Sequence, residues 1–101
     1  MIDTGLTDNI ISQLIHVFES KKDIERVVLF GSRAKGCASP NSDIDISIVG
    51  IKSSLDLEAI ALELEMLPFP YKFDVQSYEA IKNTKLREHI DRIGMIIYER
   101  H

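Results

Sequence analysis

The run Asp43-Ile44-Asp45-Ile46-Ser47-Ile48 alternates polar and apolar residues, and Val49 extends it. That period of two predicts a strand with one apolar and one polar face. Ile44, Ile46 and Ile48 then share a side that must be covered, and Asp43, Asp45 and Ser47 share the other. A chain holding this strand is obliged to build a sheet and to pack something on its isoleucine face. Just upstream, Arg26-Val27-Val28-Leu29-Phe30 is a short continuous apolar run closed by Gly31, which predicts a buried strand ending in a turn. Between the two, Arg33-Ala34-Lys35 has room for a single helical turn that Gly36 stops, and residues 36–42 are a loop by composition.

The remaining chain supplies the cover. Leu6, Ile10, Ile11, Leu14, Ile15 and Phe18 recur at helical spacing, with Thr7 placed as an N-cap. Ser53 and Ser54 offer caps for a second amphipathic helix carrying Leu57, Ile60, Ala61, Leu64 and Leu67, ended by Pro68. Tyr71 to Ser77 alternates again, with Lys72, Asp74 and Gln76 on one face. Asn83 caps a helix with Leu86, Ile90 and Ile93, Gly94 closes it, and Met95-Ile96-Ile97-Tyr98 is a last strand. The expected fold is α+β, a mixed sheet flanked by helices, within one domain spanning residues 1–101. The pattern leaves the order of the strands open. A leucine and isoleucine stripe wider than a 101-residue core needs would meet a partner helix.

The chemistry gathers in residues 30–46. Asp43 and Asp45 lie about 7 Å apart along a strand, close enough to serve one site. Mg²⁺ prefers oxygen ligands and is commonly held by one or two carboxylates together with substrate phosphates. Gly31 lets the backbone approach a phosphate, and Ser32 offers an amide and a hydroxyl as donors. A helical turn starting there would add its positive end. Arg33 and Lys35 are placed to balance phosphate charge. Asp74, from another strand, would bring a third carboxylate, enough for two ions about 3.5–4 Å apart and in-line displacement at phosphorus.

Charge narrows the class. A formal net charge of −4 and a pI near 5.3 argue against a general nucleic-acid or membrane-surface binder. No apolar run approaches the roughly 20 residues that span a bilayer. Met1 to Gly5 does not read as a secretory signal. Cys37 is the only cysteine, which leaves no intramolecular disulfide and fits a reducing cytoplasm.

The run GSRAKG, then SDIDI, then a single Asp in KFDVQ resembles the signature of the minimal nucleotidyltransferases of the DNA polymerase β superfamily. The resemblance covers nearly the whole chain and implies the palm-type sheet of that superfamily. It implies that Gly31, Ser32, Arg33 and Ser42 bind the nucleotide, and that Asp43, Asp45 and Asp74 are catalytic and hold two Mg²⁺ ions. The implied reaction moves AMP from ATP to an acceptor hydroxyl and releases pyrophosphate. Members of this size are similar to the antitoxin halves of two-protein modules. Their partner is a small all-helical HEPN-type toxin, adenylylated on tyrosine within a hetero-oligomer. Related antibiotic adenylyltransferases carry a helical domain that this chain, ending at His101, does not show. A second reading makes the chain a nucleotide-binding module that neutralises its helical partner by contact; a metal-dependent nuclease ranks behind both.

Other polar residues read as structural or solvated. His16 and His89 fall beside polar residues on helices and both read as surface residues, and neither forms a zinc pattern with Cys37 or His101. Cys37 reads as a small loop residue, and Lys72 as one half of a surface ion pair.

Overall fold

The computed structural model describes residues 4–100, so the readings on Met1 to Asp3 and on His101 lie outside the described residues. Helix α1 (Asp8–Glu19) begins where the Thr7 hydroxyl accepts the Ile10 amide at 3.2 Å, a cap worth about 1 kcal/mol. Strand β1 (Arg26–Phe30) runs into α2 (Gly31–Lys35), and β2 (Ile44–Val49) follows the loop. Helix α3 (Ser54–Glu65), capped by Ser53, leads to β3 (Phe73–Ser77) and a 3₁₀ turn at Tyr78–Ala80. Helix α4 (Thr84–Ile93), capped by Asn83, ends at Gly94 and gives way to β4 (Met95–Glu99).

The four strands form one sheet in the order β3-β2-β1-β4. β1 lies antiparallel to both β2 and β4, while β2 and β3 run parallel, as the helical crossover α3 between them allows. The sheet is therefore mixed, and the fold is α+β.

Alternation along the strands decides which face each side chain serves. Ile44, Ile46 and Ile48 of β2 join Val27 and Leu29 of β1 against Leu14 and Phe18 of α1 and Ile60 and Leu64 of α3. All of these are buried, each worth roughly 1.5–3 kcal/mol relative to exposure. The other face of β1 presents Val28 and Phe30, covered by Ile81 and by Ile90 of α4. Asp45 and Ser47 belong to this second face, since their register partners on β1 are Phe30 and Val28. Ser47 is fully buried there and its hydroxyl has no hydrogen-bond partner. The polar face of β2 is thus open to solvent only at its N-terminal end. Among the described residues no helix is long and apolar enough to cross a membrane.

Candidate active site

One row of residues crosses three strands at one end of the sheet. Phe30 on β1 is the register partner of Asp45 on β2, and Asp45 is the register partner of Asp74 on β3. Register partners project from the same face. Asp43 stands two residues before Asp45, exposed, at the mouth of the same strand. Asp45 is half-buried and Asp74 exposed, with Asp74 Oδ1 accepting a hydrogen bond from the Gln76 side-chain Nε2 at 3.0 Å.

The carboxylates feel one another. Burial raises the pKa of Asp45 above its ordinary 3.8, the negative charges of Asp74 and Asp43 raise it further, and the Arg33 guanidinium works against them. Oxygen donors from adjacent strands that repel one another suit a hard divalent cation, which would relieve that repulsion. Among the described residues, no three Asp, Glu, His or Cys side chains are drawn together into a formed metal cluster. One or two carboxylates completed by substrate phosphate remain sufficient for Mg²⁺.

The turn after β1 fits tightly against this row. Gly31 has φ +74°, a left-handed conformation, and a Cβ built on it would run into the Asp45 carboxylate. Glycine is required here on both counts. Ser32 follows, half-buried, and Gly36 at φ 78° closes the short helix, with the Cys37 amide donating to the Ser32 carbonyl at 3.0 Å. Gly31 and Ser32 thus lie beside Asp45, as a phosphate-holding turn next to carboxylates would.

Arg33 and Ser42 are placed differently from a pair of nucleotide ligands. Arg33 is 1% exposed and points inward. Its Nη1 donates to the Thr4 carbonyl at 2.9 Å, its Nη2 donates to the Ser42 carbonyl at 2.8 Å, and its guanidinium lies 4.8 Å from the Tyr71 ring centre. Its Nε is buried without a partner. Arg33 therefore clasps the segment before α1, the 36–42 loop and the approach to β3 into one unit. The Ser42 hydroxyl accepts the Ser39 amide at 2.9 Å and shapes the same loop. Lys35 is exposed. Lys72 is exposed too, and the ion pairs among the described residues are Lys21–Glu63 and Arg26–Glu99, so its expected pairing is absent.

His89, expected on the surface, is half-buried against the turn. Its Nε2 accepts the Gly31 amide at 3.1 Å, and its ring meets Phe30 edge-on at 6.2 Å. The signal was present in the sequence, because His89 falls three residues after Leu86 and four before Ile93 on the apolar stripe of α4. His16 is exposed, and so is Cys37.

Comparison with known proteins bears on the family and the fold. The family model described as polymerase beta, nucleotidyltransferase matches residues 12–101. No curated protein matches the chain in sequence. A toxin–antitoxin complex solved with AMP-PNP superposes with a TM-score of 0.72 at 22% identity, over 94% of this chain and 75% of that one. The tri-AMPylated HEPN toxin of Shewanella oneidensis in complex with an MNT antitoxin gives 0.71 at 15% identity, over 94% and 74%. A protein described as a minimal nucleotidyltransferase gives 0.69 at 24% identity, over 93% and 95%. At these identities the structural likeness concerns the fold.

Proposed function

Since the chain belongs to the polymerase β nucleotidyltransferase family, we propose that it transfers AMP from ATP to a hydroxyl, a tyrosine hydroxyl by preference, of a HEPN-type helical protein and acts as that protein's antitoxin. The observation that carries this reading is the row Asp45–Asp74 set against the left-handed Gly31 turn. It joins the two halves that phosphoryl transfer needs, a place for phosphate and a carboxylate pair.

In the reaction, the acceptor oxygen attacks the α-phosphorus, the bond from that phosphorus to the bridging oxygen breaks, and pyrophosphate leaves. Gly31 and Ser32 hold the triphosphate through the backbone and the Ser32 hydroxyl. Asp74, exposed on the edge strand, takes the proton of the acceptor hydroxyl. Asp43, Asp45 and Asp74 would hold Mg²⁺, which when bound neutralises the triphosphate and the departing pyrophosphate. Arg33 keeps the loop before Asp43 in register and lowers the cost of ionised Asp45. The reading includes a single transferase domain, a cytoplasmic setting and a hetero-oligomer with the toxin. It does not call for nucleic acid or membrane.

The test is incubation with Mg²⁺, α-labelled ATP and the HEPN-type protein of the same genome, followed by intact mass spectrometry of both chains. A mass gain of one or more AMP units on the partner is expected, lost in Asp43→Asn/Asp45→Asn. A partner left unmodified by the wild-type chain yet still neutralised would replace catalysis with neutralisation by contact.

A further inference from the structure

Helix α3 is apolar on two sides. One side carries Leu57, Ile60 and Leu64 into the core. The other carries Leu55, Ala59, Leu62 and, at the C-cap, Met66, at successive spacings of four, three and four residues. At 3.6 residues per turn these fall within about 60° of one another. Leu55 is 74%, Leu62 59% and Met66 76% exposed, and Ala59 is exposed as well. Three of the four large hydrophobic side chains that stand exposed among the described residues lie on this one line. A 4-3-4 spacing is that of a zipper seam, in which each apolar side chain enters a gap on a facing helix.

The flanks of the seam carry one sign of charge. Glu58 and Glu65 border it on one side, Asp56 and Glu63 on the other, and Ser54–Glu65 contains no Lys or Arg. Glu63 is paired with Lys21 from the end of α1. A second copy of α3 laid along the first, in either direction, would set carboxylates against carboxylates, which opposes self-association. A helix with an apolar seam bordered by Lys and Arg would meet each of these flanks with opposite charge.

We infer that the outer face of α3 is a docking seam for a basic-flanked amphipathic helix of another protein. The seam's place in the fold gives it a consequence. The parallel pairing of β2 and β3 requires α3 to run back against the strands, so its Met66 end returns to the edge where Ile44 pairs with Phe73. A helix seated along α3 therefore ends at the same edge of the sheet as Asp45 and Asp74, on the opposite face from their carboxylates. Only in naming that helix as part of the acceptor protein does the inference rest on the function proposed above.

The experiment uses the full chain and two hydrocarbon-stapled helical peptides with leucines at the 4-3-4 spacing, one flanked by Lys and Arg and one by Glu. Titration is followed by fluorescence anisotropy against the wild type and Leu62→Asp/Met66→Asp. The expected result is binding of the basic peptide to the wild type at least tenfold tighter than either the acidic peptide or the double variant allows, and weaker in high salt. Equal binding of the two peptides, equal binding to the variant, or no binding overturns the inference. So does a wild-type dimer in sedimentation that the double variant loses. Both substituted side chains are exposed, and Leu62→Gln/Met66→Gln repeats the comparison if the charged variant does not fold. AMP transfer to the HEPN-type protein is measured separately, so the seam and the transferase reading can fail independently.

Discussion

Arg33 decides between two roles that a sequence cannot separate, a ligand of the triphosphate or a clasp of the fold. The geometry assigns the clasp, and its size can be worked from the contacts. Two hydrogen bonds from a cation, to the Thr4 and Ser42 carbonyls, contribute about 1.5–3 kcal/mol each, and stacking on Tyr71 about 0.5–2 kcal/mol. Against this stand the desolvation of a buried guanidinium and its unpartnered Nε. Thr4 and Ser42 are half-buried, so water can reach their carbonyls once the guanidinium is gone. Arg33→Met should therefore cost roughly 2–3 kcal/mol net, a fall in Tm of roughly 10–20 °C for a chain of this length. Lysine carries one nitrogen and cannot serve carbonyls on two separate segments, so Arg33→Lys should lose much of the same stability despite keeping its charge. Urea denaturation of the three proteins, with the KM for ATP measured in parallel, checks both roles. Unchanged denaturation midpoints with a tenfold or greater rise in KM for Arg33→Met alone would refute the clasp.

Other outcomes follow from the same geometry. Asp45→Asn should abolish transfer and yet raise Tm at pH 7, measured by differential scanning fluorimetry. The pKa of Asp45 is raised in the fold, so the folded state binds more protons than the unfolded one. Its favourable contribution is complete below the unfolded value of 3.8 and is lost as pH rises through the folded value. The wild type should therefore lose stability relative to Asp45→Asn across that interval and stay below it at neutral pH. Gly31→Ala should destabilise by about 1–2 kcal/mol for the left-handed backbone alone and, by displacing the Asp45 carboxylate, lower kcat by roughly 10²-fold. His89→Ala should cost about 1 kcal/mol through the Gly31 amide and raise the KM for ATP more than it lowers kcat, with His89→Gln recovering part of the loss.

The sequence carried most of the fold because its strongest signals are periodic. The alternation from Asp43 to Ile48 and the caps Thr7, Ser53 and Asn83 appear in the structure at the same positions. Strand β3 begins at Phe73, two residues later than the alternation from Tyr71 implies, because its pairing with β2 starts only at Ile44. The position of β4 beside β1 was not legible, since pairing across some 70 residues leaves no mark on either segment. The burial of Arg33 was not legible for a related reason. A one-turn helix has too few residues for a period to say which side faces inward, and a cation next to a Gly-Ser turn looks the same in either role. His89 had a readable position on the α4 stripe, and its polarity hid it.

Three local costs of this fold lie close together. Gly31 is left-handed, Asp45 is half-buried beside two like charges, and Arg33 carries an unpartnered nitrogen. The cores on either side of the sheet show no comparable conflict, apart from the buried Ser47 hydroxyl two residues along the same strand. Each conflict involves a group that faces the carboxylate row or holds a residue that does. Packing alone would favour an uncharged residue at position 45 and a relaxed turn before it. The requirement met at this end of the sheet is therefore to hold negative oxygens and an open backbone turn within reach of each other. That arrangement becomes favourable only when a phosphate and its cation complete it. ATP with Mg²⁺ should accordingly stabilise the wild-type chain more than either does alone, and Asp45→Asn should lose that synergy while keeping its higher Tm in their absence.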